Sequence, residues 1–585
     1  MSMRQILFGD SDPISVAILM KSTAFNKSEL LSNYVTPLKK LGIPYTDVGA
    51  FSLTYDAKKV TTKFAKEYLT EWMPVLKSMG VKYIYCTDSN YFKLLVKEQK
   101  ADIHMGYVLP CEWPGCEDMK VVLGLNYQQL IYKPELKEKV DQSLSALAAE
   151  VNGTYQAPGT GIIHKAIYPT GAVEIRKTLE ALLEYPELTI DIEAFSLRFW
   201  EAGIGTISLA IDEHRGVAFA CDYEPNKIQP PLVEKRAEYG RFVPNQAVRA
   251  HLKWFFETYK GRITFHHAGY DVKVIIYVLW MKSLLDTEGL LTGLEVMTRA
   301  LDDTKIIAYL ATNSTAGNVL GLKPLAQEFA GNWAMDDIKD IKQIPLESLL
   351  QYNLVDALST WYVKKKYYPI MVQDQQEELY KGLMLASLKL ILQIELTGMP
   401  MNKSKVVEVK TKLEAMQAKY ISVIRSCSLI PVFEDMVTEK QWEDDYQTRK
   451  NKAKNPDKIL YKDRATFPKH VFNPNSGPQL QVLLYSMMGL PVIDRTDTKQ
   501  PATGADTLEK LINHVTDPEH GELLSALIGH GEVTKILSTF IPAFEQAIAK
   551  DDSGIVWLHG SFNIGGTVSG RLSSSDPKQN WALQA

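Results

Sequence analysis

Short apolar runs alternate with amphipathic stretches over the first part of the chain. Residues 5–8, 83–86 and 120–124 have the length and composition of strands, whereas residues 62–79 and 134–151 have helical spacing. Such alternation is typical of a partly parallel sheet with helices on its faces. We therefore predict an α/β domain over residues 1–165. No nucleotide-binding fingerprint occurs in it, and its residues do not indicate a function.

A second α/β region follows over residues 173–370, after a connector rich in Gly, Pro and Thr. Residues 189–197, 204–211 and 216–221 read as successive strands of one antiparallel sheet. A helix is predicted over residues 246–259 and a further strand over residues 262–266.

Long helices dominate the pattern from residue 374 to residue 553. Leu383, Leu390 and Ile394 have helical spacing, Gly398 is a natural helix stop, and Asn402 can cap the next helix. The insert at residues 447–470 is basic, and its Lys and Arg side chains are Arg449, Lys450, Lys452, Lys454, Lys458, Lys462, Arg464 and Lys469. A solvated loop and a contact with a nucleic-acid backbone both fit that composition.

Composition places the chain among ordinary globular enzymes. Its 585 residues, 45% hydrophobic and 23% charged, suffice for about four domains. The net charge of −4 does not indicate nucleic-acid binding but allows it where basic residues cluster. The five scattered cysteines favour a reducing compartment, and Cys111 and Cys116 with His104 lack the second thiol pair typical of zinc sites. No signal peptide is visible, and the apolar stretch at residues 383–396 is too short to span a membrane. We expect a cytoplasmic protein.

Two carboxylates lie two residues apart at the end of a predicted strand. Side chains alternate along a strand, so Asp191 and Glu193 share one face while Ile190 and Ile192 point into the core. Like charges this close repel each other unless a cation lies between them. Carboxylate oxygens suit Mg²⁺ or Mn²⁺, although an exposed strand edge would carry the same pattern.

Three further residues complete a candidate site. Asp271 opens an apolar helix after the strand at residues 262–266, and Tyr352 and Asp356 share a helix face because they are four residues apart. Two metal ions can cleave a phosphodiester, one by activating water and the other by stabilising the departing oxygen. Four carboxylates and a phenol are the groups that such chemistry requires.

These motifs resemble the 3′–5′ proofreading exonuclease domain of family A DNA polymerases, of the DEDDy type. Its three motifs resemble Asp191-x-Glu193, His266–Asp271 and Tyr352–Asp356, and the segment between the last two resembles Asp303-Thr304 with Ala308-Tyr309-Leu310. The resemblance implies a ribonuclease H-like fold and two Mg²⁺ ions, with Mn²⁺ as a substitute. Asp191, Glu193 and Asp356 would bind the metals, Asp271 would support the second metal, and Tyr352 would orient the water. His267 stands where the family usually has Asn and would contact the terminal nucleotide.

The resemblance continues into the polymerase part of the family. Residues 394–399, 472–491 and 535–539 resemble the thumb, and residues 559–574 resemble the entry into the palm, which implies a thumb over residues 374–553 and the start of a truncated palm over residues 554–585. DNA contacts are implied for Lys535, Ser538, Thr539 and Arg571. The first domain resembles extensions of phage-encoded relatives, which would act in the host-cell cytoplasm. A DYSxIELR-like run, which carries the family's first catalytic Asp, does not occur in these residues.

We therefore predict the N-terminal part of a family A DNA polymerase that acts in DNA replication. It would remove nucleotides from single-stranded 3′ ends, bind primer–template duplex through the thumb, and polymerise only with a separate polypeptide that carries palm and fingers. A non-catalytic DNA-binding subunit and a free-standing RNase D-like exonuclease are the alternatives.

Overall fold

The computed structural model describes residues 3–9, 13–55, 61–227, 230, 237–312, 319–332, 338, 340–453, 455–496, 498–567 and 569–575. The chain divides into two compact units. The first contains the residues up to Leu396 together with Phe562–Ser573, and the second contains Thr397–Ser561 and the residues after Ser573. The four-domain division remains a prediction. The last ten residues of its fourth domain, 576–585, lie outside the described residues.

The first unit begins with a six-stranded sheet in the spatial order β1-β3-β2-β4-β6-β5. The strands are β1 Gln5–Leu7, β2 Val16–Lys21, β3 Val48–Leu53, β4 Tyr83–Cys86, β5 Val108–Pro110 and β6 Lys120–Leu123. The accompanying helices are α1 Lys27–Leu30, α2 Thr36–Lys40, α3 Thr62–Ser78, α4 Ser89–Val96, α5 Gln128–Tyr132 and α6 Lys137–Val151. Strands β2, β3, β4 and β6 are parallel, and β1 and β5 are antiparallel edges. The predicted partly parallel sheet is confirmed.

A second sheet and its helices follow in the first unit. The strands are β7 Lys165–Ile167, β8 Glu187–Glu193, β9 Thr206–Ala210, β10 Arg215–Ala220, β11 Tyr223–Pro225, β12 Gly240–Phe242, β13 Arg262–Phe265 and β14 Leu301–Asp303. The helices are α7 Gly171–Leu182, α8 Phe199–Ala202, α9 Gln246–Thr258, α10 Ala268–Leu279, α11 Thr287–Thr298, α12 Thr304–Ala311, α13 Leu322–Leu325, α14 Gln327–Ala330, α15 Leu346–Gln373, α16 Glu377–Leu379 and α17 Leu385–Thr397. The sheet has the order β14-β13-β8-β9-β10-β7, and β11 pairs only with β12.

Strand β8 lies at the centre of this second sheet. It runs antiparallel to β9 and parallel to β13, which in turn is parallel to β14. Ile190 and Ile192 are buried in the core on one face, as the alternation predicts. On the other face Thr189 donates a hydrogen bond from Oγ1 to the carbonyl oxygen of Ala357, 2.7 Å away, which fixes α15 across the strand.

The segment Phe562–Ser573 packs within the first unit, although it lies far along the chain. The amide of Phe562 donates to the buried carboxylate of Glu395, which also forms an ion pair with Lys273 of α10. The hydroxyl of Tyr309 donates to the carbonyl oxygen of Thr567 at 3.2 Å. This segment therefore contacts the helix that carries Asp271.

The second unit is mainly helical. Its helices and strands are β15 Met399–Asn402, α18 Lys403–Ser426, α19 Leu429–Lys452, α20 Gly477–Gln481, α21 Ala505–Ile512, α22 Pro518–Lys535, α23 Ile541–Glu545, β16 Ile548–Ala549 and β17 Ile555–Leu558, and β18 Ser561–Asn563 and β19 Ser573–Ser575 lie where the chain passes between the units. The side chain of Asn402 accepts from the amide of Lys405, which confirms the predicted cap of α18. Among the described helices, none combines the length and the apolar character needed to cross a membrane.

A buried ion pair stabilises the part of the second sheet that follows β10. Asp222 is fully buried and accepts two hydrogen bonds from Arg249, both 2.8 Å long, as well as the amide of Ile204. Removing one partner of such a pair leaves an uncompensated charge, which costs about 3–5 kcal/mol. We predict that Arg249→Met lowers the free energy of unfolding by that amount in urea denaturation.

The matched control is Lys389→Met, which breaks the exposed Lys389–Glu295 pair. Exposed pairs contribute about 0–1 kcal/mol. Equal losses in the two variants would contradict a special role for the buried pair.

Candidate functional site

Three carboxylates converge at the carboxyl end of β8. Carboxylate oxygens of Asp191, Glu193 and Asp356 lie within 4.8 Å of one another. Strand alternation places Asp191 and Glu193 on the face that α15 covers, and α15 brings Asp356 to them. No second cluster of this kind occurs within the described ranges, so Cys111, Cys116 and His104 do not form one.

Asp271 approaches the same place from the neighbouring strand. It lies in the first turn of α10, which begins directly after β13, and its Oδ1 accepts a hydrogen bond of 3.4 Å from the amide of Ile192. Asp303 at the end of β14 fixes the start of α10, because its carboxylate accepts from the amides of His267 and Ala268 at 3.1 and 2.9 Å. Because β8 and β13 are parallel, α10 begins at the same edge of the sheet where β8 ends, and Asp271 lies there.

Helix α15 contributes two further polar groups next to Asp356. The hydroxyl of Tyr352 lies beside the carboxylate of Asp356, as their spacing of four residues permits, and it opposes the rise in the pKa of Asp356. Asn353 is fully buried; its Nδ2 donates to Asp191 Oδ2 at 2.7 Å and its Oδ1 accepts from Thr206 at 3.1 Å. Sequence reasoning missed Asn353, although a lone amide facing a strand from an otherwise apolar helix face was a usable signal.

Burial raises the pKa of each carboxyl group in this cluster, and repulsion by neighbouring carboxylates raises those of Asp191, Glu193 and Asp271 further. Burial is the main cause and lifts the pKa of Glu193 to about 8 and those of Asp271 and Asp356 to about 7. The pKa of Asp191 is also raised well above its usual value, first by burial and then by the neighbouring carboxylates. A site with these properties has a strong electrostatic requirement for positive charge.

The donor set fits a hard divalent cation. All the candidate ligands are carboxylate oxygens, which Mg²⁺ and Mn²⁺ prefer. Oδ1 of Asp356 is buried and has no hydrogen-bond partner among the described residues. A buried acceptor without a partner is costly, and a bound cation would satisfy it.

Two neighbouring histidines at this edge of the sheet have different contacts. His266 bonds through Nε2 to the carbonyl oxygen of Leu320 at 3.0 Å and through Nδ1 to the hydroxyl of Thr304 at 2.9 Å, and burial lowers its pKa to about 3. His267 adopts a left-handed backbone conformation with φ of +62°. Its side chain is hydrogen-bonded to Asn563, and its predicted contact with a nucleotide stays a prediction.

One lysine lies beside the carboxylates. Lys323, on α13, has its Nζ 5.3 Å from the centre of the Tyr352 ring. Its charge opposes the rise in the pKa of both Glu193 and Asp356. Sequence reasoning missed Lys323, because α13 is a short helix whose position depends on tertiary contacts.

Lys535 and Ser538, predicted to bind DNA, are exposed in the structure, whereas Thr539 and His267 are half-buried. Lys535 ends α22, and Lys535, Ser538 and Thr539 have the spacing of one helix face in the second unit. Arg571 is exposed in the first unit. Their DNA contacts remain predictions.

The basic insert is partly neutralised by acidic side chains of α19. Arg449 and Lys462 both pair with Asp445, at 2.8 and 2.9 Å, and Arg464 pairs with Glu439 at 2.9 Å. Three of its cations are therefore engaged within the second unit. The Arg449–Asp445 pair has the four-residue spacing of a helix, whereas the sequence pattern did not indicate the pairs of Lys462 and Arg464.

Residues 444–582 match the family model described as DNA polymerase family A. In this part the chain is similar to family A DNA polymerases. It is 23% identical over 474 residues to the DNA polymerase of Escherichia phage T5, which covers 78% of this chain and 47% of that protein. It is 36% identical over 106 residues to DNA polymerase I of Bacillus subtilis (strain 168), which covers 18% of this chain and 11% of that protein.

The chain spans less than half the length of those two proteins. The DNA polymerase of Bacillus phage SP01 is 23% identical over 251 residues, which covers 40% of this chain and 25% of that protein. Among solved structures, the POL domain of Pol1 from M. smegmatis in complex with DNA primer-template and dNTP has a TM-score of 0.43 at 15% identity, covering 71% of this chain and 55% of that chain.

We predict that Asn353 orients Asp191 as a ligand. Asn353→Leu has a similar volume but removes the amide that holds Asp191 Oδ2. Loss of such a supporting hydrogen bond reduces metal affinity about 10- to 100-fold, which a titration with Mn²⁺ measures. Ser359→Ala is the matched control, because Ser359 is buried on the same helix and its hydroxyl has no partner among the described residues. Equal affinities in the two variants would show that Asn353 does not orient the ligand.

A pH-dependent stability follows from the raised carboxyl pKa values. The folded, metal-free cluster holds protons that the unfolded chain releases near pH 4, so its contribution to stability is present at low pH and is lost as the pH rises through about 7 to 8. We predict that Mg²⁺ raises the Tm of EDTA-treated protein more at about pH 8.5 than at about pH 6. Asp356→Asn should weaken this difference, and an unchanged difference would contradict the assignment.

Proposed function

We propose that this chain carries the 3′–5′ exonuclease of a family A DNA polymerase and acts in DNA replication. The observation that supports this best is the meeting of Asp191, Glu193 and Asp356 within 4.8 Å, with one buried oxygen of Asp356 lacking a partner among the described residues. Asp271 and Tyr352 lie at the same place, in the order expected from the exonuclease motifs. The order of strands β10, β9, β8, β13 and β14 fits a ribonuclease H-like domain.

Each side chain has a proposed task in hydrolysis. Asp191, Glu193 and Asp356 would hold two Mg²⁺ ions, with Mn²⁺ as a substitute, and these ions supply water activation and stabilisation of the departing 3′ oxygen. Asp271 completes the charge of the site. Tyr352, beside Asp356, would orient the attacking water through its hydroxyl oxygen. The products are 5′-monophosphates and a strand shortened at its 3′ end.

Nucleotide incorporation is a different activity from the 3′–5′ hydrolysis proposed above. The match at residues 444–582 lies in the family's polymerase part. We propose that residues 444–582 contribute to nucleotide incorporation in an assembly with palm and fingers. In that assembly Lys535, Ser538, Thr539 and Arg571 would contact duplex DNA, and His267 would lie near the terminal nucleotide. We propose a cytoplasmic location, the host-cell cytoplasm for a phage-encoded protein.

The exonuclease proposal predicts stepwise shortening of a 5′-labelled single strand in Mg²⁺. Asp191→Ala removes a proposed metal ligand and should slow cleavage by about 10³-fold or more, and EDTA should abolish it. Glu288→Gln, which changes an exposed acid on α11, should cleave at the normal rate.

Three outcomes of this assay would correct the proposal. Equal cleavage by Asp191→Ala would exclude the carboxylate site as its source. Binding without cleavage would favour a non-catalytic DNA-binding subunit. A preference for RNA over DNA would favour an RNase D-like enzyme.

A further inference from the structure

The proposed exonuclease site includes a positively charged side chain, Lys323, whose charge is not needed to balance the carboxylates once two metal ions are bound. The cluster contains four carboxylates, Asp191, Glu193, Asp271 and Asp356, and two divalent cations would neutralise them. A phosphodiester substrate brings one more negative charge into this poorly solvated place. The cation that the structure places beside the cluster is Lys323.

The position of Lys323 is fixed by its surroundings. Leu325, two residues later, is buried against Ala308 of α12 and Val363 of α15. Upstream, the carbonyl oxygen of Leu320 is tied to His266, which immediately follows β13. The sheet edge that delivers Asp271 therefore also anchors the segment that carries Lys323.

The ammonium group of Lys323 lies beside the candidate site. Its nitrogen is 5.3 Å from the centre of the Tyr352 ring, and its charge opposes the rise in the pKa of Asp356. The side chain is only partly buried, so the ammonium group can be reached by a ligand. The positive charge of Lys323 attracts Glu193 and Asp356. The same charge lies beside the place where a scissile phosphate would bind.

We propose that Lys323 binds the phosphate of the 3′-terminal nucleotide. This proposal rests on the proposed exonuclease function and adds to it a substrate-binding residue outside the three carboxylate motifs. The ammonium group would donate to a non-bridging oxygen of the terminal phosphodiester, next to the water that Tyr352 orients.

The test measures binding rather than cleavage. A 5′-labelled oligothymidylate of about four nucleotides, near the smallest site size of single-strand binders, is titrated with the full-length chain in Ca²⁺ at several salt concentrations. Lys323→Met keeps the length of the side chain but removes its charge, and should bind about 10- to 100-fold more weakly. The slope of log affinity against log salt should fall by about 0.7, the value for one phosphate contact on a single strand.

Two comparisons locate the contact. Lys323→Arg keeps the charge and should recover most of the affinity and the full salt slope. Lys260→Met is the matched control, because Lys260 is exposed and precedes β13, whereas the site follows that strand; its affinity should be unchanged. Replacing the 3′-terminal phosphodiester by an uncharged methylphosphonate removes the charge that attracts both Ca²⁺ and Lys323, so it should weaken binding by the wild-type protein by a larger factor than binding by Lys323→Met.

Wild-type affinity and slope in Lys323→Met would overturn the proposal. So would equal loss in Lys323→Met and Lys323→Arg, because shape rather than charge would then be responsible. Failure of the exonuclease function is distinct: the wild-type chain would not shorten 3′ ends in Mg²⁺, or Asp191→Ala would shorten them equally well. Cleavage by wild type, its loss in Asp191→Ala and unchanged binding by Lys323→Met would reject Lys323 alone.

Discussion

Electrostatic repulsion among Asp191, Glu193, Asp271 and Asp356 is the constraint around which the second sheet is built. Each carboxyl group has a raised pKa, chiefly because burial disfavours its charged form. A fold that holds four such groups together needs rigid elements on every side and a source of positive charge. The central strand β8, the start of α10 and the long helix α15 supply the rigidity.

The groups that support these carboxylates belong to elements far apart in the chain. Asn353 holds Asp191, and its own oxygen is held by Thr206 of β9. Asp303 at the end of β14 fixes the first amides of α10, which positions Asp271. Because Asp191 and the helix start that carries Asp271 are held by buried partners, their positions are set before any ligand arrives.

His267 has a backbone conformation that suits its residue type. Its backbone is left-handed, a conformation in which Asn, Asp and His are several times more frequent than other non-glycine residues. Histidine is therefore compatible with the backbone at the start of α10. Its side chain bonds to Asn563, in a segment that also contacts α10 through Glu395 and Lys273. Residues that resemble the palm entry are thus in contact with the helix that carries Asp271.

The local pattern of the sequence determined much of the secondary structure and part of the candidate site. Alternation on β8 separated Ile190 and Ile192 from Asp191 and Glu193, and the spacing of four residues on α15 joined Tyr352 to Asp356, because strand and helix periods are fixed by the backbone. The cap at Asn402 was readable for the same reason. Tertiary structure alone decided that Asn353 meets Asp191, that Lys323 lies beside Tyr352, and that Lys462 and Arg464 of the basic insert meet Asp445 and Glu439. These contacts join residues whose separation along the chain follows no period, so only the packing of the elements could bring them together.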